Sequence, residues 1–287
     1  MSPVLTDSAI AAVIVSYRSG ATLDECLDRL RASEDVVQII VVDNASDDDS
    51  VARTARHAAE DPRVFQLRNT DNVGFSRACN LGSQRCTTPF IAFVNPDCWV
   101  EPDSLGRLRD HLGRSRPGLI GADLIDRDGV RDPAARRREP TLARMLKGMG
   151  ARASVAIPIE PDEEVQPVDA VSGALMLMPR AMFVSLGGFD EGYRLHAEDL
   201  DLCRRVREAG HTVLVANDVR VVHVRGVSSR TRPVFVEWHK HRGLWRYFRK
   251  FEGRSAGLLT RTMAFLAIWA HFLFAAPRAC IGMLGQR

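Results

Sequence analysis

The sequence predicts an α/β fold built on a parallel, doubly wound sheet. Four short runs of apolar, largely β-branched residues alternate with amphipathic helical segments in the first third of the chain, at residues 10–15, 38–42, 64–67 and 90–94. This alternation is typical of a parallel sheet, because each helix returns the chain to start the next strand. A chain of 287 residues with 45% hydrophobic content can also bury the core that such a sheet needs.

The run at residues 90–94 is the predicted centre of the sheet. It is apolar throughout and is followed by Asn95, Pro96 and Asp97. A continuous apolar run is typical of a strand buried on both faces, and Pro96 ends it because proline lacks an N–H and disfavours helix in the residue before it. Asp97 would then lie at the carboxyl end of a central strand, where open α/β sheets bind ligands. The tripeptide also fits an ordinary turn.

Charge and cysteine usage exclude several classes of protein. The net charge of +3 is too small to indicate a nucleic-acid partner. The six cysteines form no CxxC pair and lie in apolar patterns, which favours reduced thiols in a cytoplasmic protein over disulfides or a zinc site. The polar first eight residues and the absence of a basic leader predict no signal peptide.

Two further positions at the ends of predicted strands are candidates for nucleotide binding. Asp43 follows the second run, and a carboxylate there can accept hydrogen bonds from a ribose or a base. A structural role for Asp43 fits the pattern equally well. Gly74 precedes a predicted helix at residues 75–85, where a glycine with positive φ lets backbone N–H groups approach a phosphate. It also fits a simple turn.

A helix predicted to begin at residue 198 carries three acids in its first turn. Glu198, Asp199 and Asp201 all favour the positive end of the helix dipole, which alone would explain them. Helical geometry makes Asp199 and Asp201 face nearly opposite sides, so the three carboxylates cannot share one task.

Three arginines and a histidine in the second half of the chain also bear on function. The run Arg136, Arg137 and Arg138 fits a solvated face, with binding of lipid or sugar phosphates as the alternative. His223 shares one face of a predicted strand with two valines, and a lone histidine in that position is more often a core residue than a ligand.

The last part of the chain changes character. Residues 225–261 hold ten Lys or Arg against two acids, with aromatic residues between them, a pattern that favours a membrane face over nucleic acid. Residues 262–277 are apolar but shorter than the ~20 residues that a spanning helix needs. We therefore expect an interfacial helix on the anionic cytoplasmic leaflet, with a core or dimer helix as the alternative.

Eight short motifs follow one another in an order that resembles a known family. They are VIVSY at 13–17, VVDNAS at 41–46, NVGF at 72–75, NPD at 95–97, SGA at 172–174, GGFDE at 187–191, EDLDL at 198–202 and His223. Together they are similar to the family 2 inverting glycosyltransferases, and the resemblance covers roughly residues 9 to 230.

The resemblance implies a GT-A fold, a Rossmann-like, mixed and mostly parallel sheet flanked by helices. The glycosyltransferase domain would span residues 1–230, with a nucleotide-sugar half at about 9–123 and an acceptor half at about 124–230. A basic amphipathic helical extension that associates with membranes would follow at 231–287. The implied nucleotide-sugar-binding residues are Ser16, Tyr17, Asp43, Asn72, Gly74, Asn95 and Asp97.

The resemblance also implies a metal site and a catalytic base. Asp97 and His223 would hold Mg²⁺ or Mn²⁺, although Asn95 stands where the family's Asp-x-Asp motif has its first aspartate. Asp199 would take the proton from the acceptor hydroxyl as that oxygen attacks the anomeric carbon. Gly173, Glu198 and Asp201 would bind the acceptor sugar.

Within the family the chain looks most similar to bacterial rhamnosyltransferases of cell-wall or surface polysaccharide assembly. This similarity implies transfer of L-rhamnose from dTDP-L-rhamnose to a polyprenyl-diphosphate-linked sugar, taken here as N-acetylglucosamine. The enzyme would be cytoplasmic and peripheral on the inner face of the plasma membrane. Two alternatives stay open, a different nucleotide-sugar donor or a catalytically silent nucleotide-binding scaffold, and so does a homo-oligomer.

Overall fold

A computed structural model describes residues 7–114, 118–141, 144, 155–224 and 233–284. The strands are β1 Ile10–Ser16, β2 Val36–Asp43, β3 Val64–Arg68, β4 Phe90–Val94, β5 Cys98–Trp99, β6 Gly118–Ile125, β7 Val165–Pro167, β8 Leu175–Pro179 and β9 Thr212–His223. The helices are α1 Gly20–Arg31, α2 Ser50–Glu60, α3 Phe75–Ser83, α4 Ser104–Arg114, α5 Arg180–Ser185, α6 Glu198–Glu208, α7 Pro233–Phe251 and α8 Leu258–Leu284.

The strands form one mixed sheet in the order β3-β2-β1-β4-β8-β6-β9-β5, with β7 paired to β9. The pairs β3–β2, β2–β1, β1–β4 and β6–β9 are parallel, whereas β8 runs antiparallel to β4 and β6. The predicted α/β class and the GT-A-like, mostly parallel sheet are therefore confirmed. The carboxyl ends of β1, β2 and β4 lie at one edge because these three strands are parallel neighbours.

The core lies on both faces of the sheet, which explains the continuous apolar runs. In β1, Ile10, Ala12 and Ile14 pack into one hydrophobic cluster, and the alternate residues pack into a second cluster on the other face. Helices α1 and α4 contribute to the first cluster, and α3, α5 and α6 contribute to the second. Because both faces are covered, ligands have access to the strands at their ends.

Strand β8 begins at Leu175, and the segment before it contains β7, whose backbone pairs with β9. One predicted segment differs from the structure. Helix α8 has 27 residues, so it is longer than the predicted interfacial segment.

Candidate active site

The site begins where β1 and β2 end side by side. Ser16 and Asp43 are direct partners in the parallel ladder, and the N–H of Asn44 donates to Ser16 O over 2.8 Å. Asp43 is buried, and its Oδ2 accepts a hydrogen bond of 3.1 Å from Ser46 N–H. Its buried Oδ1 has no hydrogen-bond partner among the described residues. A buried acceptor without a donor is costly, so this oxygen is suited to receive a hydroxyl or N–H from a ligand.

The turn after β1 is tied to the end of that strand. Ser16 Oγ donates to Ser19 Oγ over 3.2 Å, and Tyr17 N–H donates to the same oxygen over 3.2 Å. The Tyr17 ring is partly exposed, and the guanidinium of Arg18 lies 5.3 Å from its centroid. These bonds fix the backbone of Tyr17 directly after Ser16, the strand partner of Asp43. A flat ring at such a strand end can lie against a base or a sugar.

Gly74 has another role than the one predicted. Its N–H donates to Asn72 Oδ1 over 3.1 Å, and the N–H of Phe75 donates to Arg194 O over 2.9 Å. The φ of Gly74 is 89°, and a Cβ there would come within 2.9 Å of Arg194 O. Glycine is needed at this position because the loop before α6 passes directly over it. The geometry does not support the predicted phosphate cradle, since both N–H groups are used within the protein.

Asp97 and His223 come together where β5 pairs with β9. Cys98 lies opposite His223, and Val224 N–H donates to Asp97 O over 3.0 Å. As a result, His223 Nε2 lies 3.5 Å from Asp97 Oδ1, and His223 Nδ1 lies 3.5 Å from Asp132 Oδ2. Burial opposes charge on this imidazole, but the two carboxylates outweigh it and raise the pKa of His223 to about 9.

This pair would fit a divalent cation once the imidazole of His223 gives up its extra proton, because only the neutral ring has a lone pair for a metal. Adjacent ligands of Mg²⁺ are about 3 Å apart, which is close to the separation of Asp97 Oδ1 and His223 Nε2. The Cys98 sulfur is also within 4.8 Å, but burial and the charge of Asp97 raise the pKa of its thiol and keep it neutral. A carboxylate and an imidazole leave room for diphosphate oxygens in the remaining positions.

A short segment before β8 joins this cation pair to the acids of α6. Asn95 N–H donates to Ala174 O over 2.8 Å, and Gly173 N–H donates to Asp199 Oδ2 over 3.0 Å. Two consecutive residues therefore contact the turn that carries Asp97 and the side chain of Asp199. These contacts connect Asp97 and Asp199, which are 102 positions apart in the sequence, at the same edge of the sheet.

Arg137 is the partner of Asp199, so the predicted solvated face for the arginine run is wrong. Arg137 Nη2 lies 2.5 Å from Asp199 Oδ2 and also donates to Val171 O. Arg136 is buried and donates to Asp123 Oδ1 over 2.7 Å. Arg136 and Arg137 are therefore each paired with a carboxylate, and Arg138 donates to Ala156 O over 2.9 Å.

The pKa values of Glu198 and Asp199 are shifted in opposite directions. Burial tends to raise the pKa of Asp199, but the charge and hydrogen bond of Arg137 outweigh burial and lower it. Burial and the charge of Asp199 raise the pKa of Glu198. Glu198 Oε2 is buried and has no hydrogen-bond partner in the described part of the chain. Asp199 is therefore a stable anion, while Glu198 holds its proton more readily.

Asp201 cannot bind the acceptor as the resemblance implied. Its side chain is fully buried, Oδ1 accepts from Arg205 Nε over 2.5 Å, and Oδ2 accepts from Lys250 Nζ over 2.7 Å. Both oxygens are thus paired with cations of α6 and α7. The role of Asp201 is to join these two helices.

Helix α7 contributes contacts that sequence reasoning missed. Lys250 also lies 2.9 Å from Asp190 Oδ2, and Arg246 donates to Asp190 Oδ1 over 2.7 Å. Tyr247 OH donates to Glu139 Oε1 over 2.7 Å. The basic and aromatic residues of this region predicted a membrane face. The ion pairs of Arg246 and Lys250 with Asp190 could not be predicted, because these residues are far apart in the sequence.

The fold and the acids at the edge of its sheet are those expected of a glycosyltransferase, and comparisons with known proteins agree. The model of the family described as Glycosyl transferase family 2 matches residues 11–183, and the chain belongs to that family.

Two characterised sequence relatives and one solved structure are similar to this chain. The chain is 30% identical over 278 residues to the N-acetylglucosaminyl-diphospho-decaprenol L-rhamnosyltransferase of Mycobacterium tuberculosis, covering 84% of this chain and 88% of the relative. It is 25% identical over 204 residues to rhamnosyltransferase WbbL of Escherichia coli, covering 69% and 76%. The mannosyltransferase PcManGT of Pyrobaculum calidifontis, solved with GDP-Man and Mn²⁺, superposes with a TM-score of 0.61 at 16% identity, covering 96% and 73%.

Proposed function

We propose that this family 2 glycosyltransferase moves L-rhamnose from dTDP-L-rhamnose to a polyprenyl-diphosphate-linked N-acetylglucosamine with inversion. The observation that carries the proposal is the 30% identity, over most of both chains, to an L-rhamnosyltransferase whose name specifies such an acceptor. The similarity to a second rhamnosyltransferase supports the sugar.

The proposed donor site uses the strand ends. Asp43 would offer its unpaired Oδ1 to the nucleoside, and the sequence resemblance adds Ser16, Tyr17, Asn72 and Asn95 to the donor site. Asp97 and His223 would hold Mg²⁺ or Mn²⁺ together with the donor diphosphate. A cation bound there would supply Lewis-acid stabilisation of the charge on the leaving nucleoside diphosphate.

The proposed acceptor site lies on the other side of the segment at residues 173–174. Gly173 and Arg137 hold Asp199 at the edge of the sheet, next to Glu198. A carboxylate in this position can take the proton of an acceptor hydroxyl as its oxygen attacks the anomeric carbon. From the sequence resemblance Asp199 is the candidate base, with Gly173 and Glu198 near the acceptor.

The donor is tested with purified enzyme, a synthetic lipid-diphosphate-linked N-acetylglucosamine and a panel of nucleotide sugars. We expect nucleoside diphosphate release and a disaccharide-lipid product with dTDP-L-rhamnose. Turnover with UDP- or GDP-sugars and none with dTDP-L-rhamnose would show that the proposed donor is wrong, although the family assignment would stand. Release of the nucleoside diphosphate without formation of a disaccharide-lipid would show that the proposed acceptor is wrong.

We also propose that the enzyme lies on the cytoplasmic face of the membrane through α8. The helix contains one stretch, Leu258–Cys280, that is long and apolar enough to cross a membrane and is only 11% buried, so the expected lack of a spanning length is wrong. Packing supports an interfacial position, because Trp269 and Phe265 of α8 lie against Trp238 and Trp245 of the charged helix α7. The outer residues Leu266, Leu273 and Phe274 of α8 are exposed.

A further inference from the structure

Asp132 is a buried carboxylate that contacts His223 on the side away from Asp97. Its Oδ2 lies 3.5 Å from His223 Nδ1, whereas Asp97 Oδ1 lies 3.5 Å from His223 Nε2. The side chains of Asp132 and His223 are only 5% and 13% exposed, so water competes little for this contact. The two ring nitrogens of an imidazole are distinct and point away from each other. The two carboxylates therefore contact opposite ends of one ring.

The turn that carries Asp132 is fixed by the chain around it. Asp132 N–H donates to Leu124 O over 2.8 Å, which returns the chain to the end of β6. Leu124 is the partner of Val221 in the parallel pair of β6 and β9, so this return brings Asp132 to the end of β9. Asp132 Oδ1 accepts from Ala134 N–H over 2.7 Å. Because Oδ1 is held by its own turn, Oδ2 is the oxygen that faces the histidine ring.

The ring nitrogen that faces Asp132 needs a partner. His223 Nδ1 is buried and forms no hydrogen bond of standard geometry with any residue that the structure describes. Native proteins rarely leave such an atom unpaired. The 3.5 Å to Asp132 Oδ2 is slightly longer than an ordinary N–H···O hydrogen bond of about 2.7–3.2 Å, so a small rotation of the ring completes the bond.

Asp132 does not belong to the cation site itself. Among the described residues, the side chains whose ligand atoms lie within 4.8 Å of one another are Asp97, Cys98 and His223. Asp132 is absent from this group because it contacts the ring at the other nitrogen. Histidines that bind metals almost always donate their second N–H to a carboxylate, a carbonyl or water, which fixes the tautomer and the orientation of the ring. Asp132 occupies that place.

We propose that Asp132 is a positioning residue for the cation site. It accepts the hydrogen bond of His223 Nδ1–H and thereby keeps the lone pair of Nε2 directed toward the cation that Asp97 also binds. Asp132 itself touches neither the cation nor the sugar. The role rests on the cation site of the proposed sugar transfer, and it adds a residue from the segment after β6 to a site formed beside β5 and β9.

Asp132→Asn separates positioning from packing, because asparagine has the same shape as aspartate. Ala134 N–H needs an oxygen at its side of the turn, so the amide NH₂ would face His223. An NH₂ group donates to Nδ1, which places the ring proton on Nε2 and removes the lone pair that the cation needs. Asp128→Asn, at an exposed position of the preceding turn, is the matched control.

The probe is Mn²⁺ alone, titrated into the full-length protein and followed by the EPR signal of the free ion. We expect Asp132→Asn to weaken Mn²⁺ binding by about 10–100-fold and to reduce the nitrogen coupling of the bound ion in pulsed EPR. Asp128→Asn should bind Mn²⁺ as the wild type does. In a His223→Ala background the ring is absent, so Asp132→Asn should change Mn²⁺ affinity by less than about twofold.

The thermal unfolding midpoint separates loss of positioning from loss of the fold. Asp132→Ser is the second variant, because its hydroxyl can still accept from Ala134 N–H but is too short to reach the ring, and it should weaken Mn²⁺ binding as well.

The proposal is overturned if the wild type does not bind Mn²⁺ or if the folded variants bind it as tightly as the wild type. It is also overturned if Asp132→Asn weakens binding equally with and without the His223 ring. These measurements use neither donor nor acceptor, so a failure of the proposed sugar transfer is distinguished from a failure of this role.

Discussion

The proposed donor side and the proposed acceptor side of the site hold their carboxylates in different ways. On the donor side, Asp43 keeps an unpaired oxygen and Asp97 has a histidine 3.5 Å away. Near the start of α6, Asp199 and Asp201 are bound to cations 2.5–2.7 Å away. Arg137 and Lys250 come from distant parts of the chain, and Arg205 comes from α6 itself. The donor acids are thus available to a ligand and a metal ion, whereas most acceptor acids are already neutralised by the protein.

This difference shows which parts of the chain the site depends on. The position of Asp43 is set by the sheet itself, because Ser16 and Asp43 are paired at the ends of the neighbouring strands β1 and β2. The acceptor acids need Arg137 and, through Asp201, Lys250 of α7. Helix α7 is therefore tied to the start of α6, where Asp199 lies, while α8 packs on α7 and exposes its outer face.

The largest effect is expected on the donor side. Asp97→Asn should lower transfer by about 10²–10³-fold, because it weakens the group that holds the cation against the leaving diphosphate. EDTA should abolish transfer in the wild type, and added Mn²⁺ or Mg²⁺ should restore it, as followed by nucleoside diphosphate release. Asp103→Asn, in the exposed loop before α4, is the control. Full activity in the chelator would remove the metal role of Asp97.

The acceptor side is tested through Lys250→Met. It leaves the fully buried Asp201 with one cation fewer, which should cost up to about 3–5 kcal/mol in the free energy of unfolding. We expect transfer to fall while nucleoside diphosphate affinity changes little, because the donor side lacks this contact. Arg249→Met, on the exposed side of α7, is the matched control. An equal loss of nucleotide binding and transfer would argue that the two sides are not separate.

Truncation before Gly257 removes α8 and keeps α7, so it tests the role of α8 alone. Without α8 the protein should no longer sediment with anionic vesicles, because the exposed apolar face is removed. Transfer to a water-soluble acceptor analogue should change little, since the ion pairs of α7 to Asp190 and Asp201 remain. Persistent sedimentation with vesicles would count against α8 as the membrane contact.

The smallest effect concerns the charge of α7. Arg242 is exposed and has no ion pair within the described range, so Arg242→Ala should weaken vesicle binding by about 1 kcal/mol, roughly fivefold. Added salt should reduce binding of the wild type more than binding of the variant. A salt-independent partition coefficient, measured by sedimentation, would show that apolar contact alone holds the protein on the membrane.

The residues on the donor side were predictable because their signals are local. Asp43 and Asp97 directly follow apolar runs, and parallel strands bring their carboxyl ends to one edge. The roles of Arg137 and Lys250 were not predictable, since a run of arginines and a basic helix both fit a solvated surface. The resemblance implied an acceptor role for Asp201, and its ion pair with Lys250, 49 residues away, leaves no local signal in the sequence.

The amino-acid sequence by itself determined the α/β class, the strand ends that face the ligand and the acids at the start of α6. These features depend on hydrophobic periodicity and on turn residues, which act over a few neighbouring positions. Only the tertiary structure decided which acids are paired and which retain an unpaired oxygen. That difference depends on Coulomb and hydrogen-bond contacts between distant segments, and no pattern within a single segment records them.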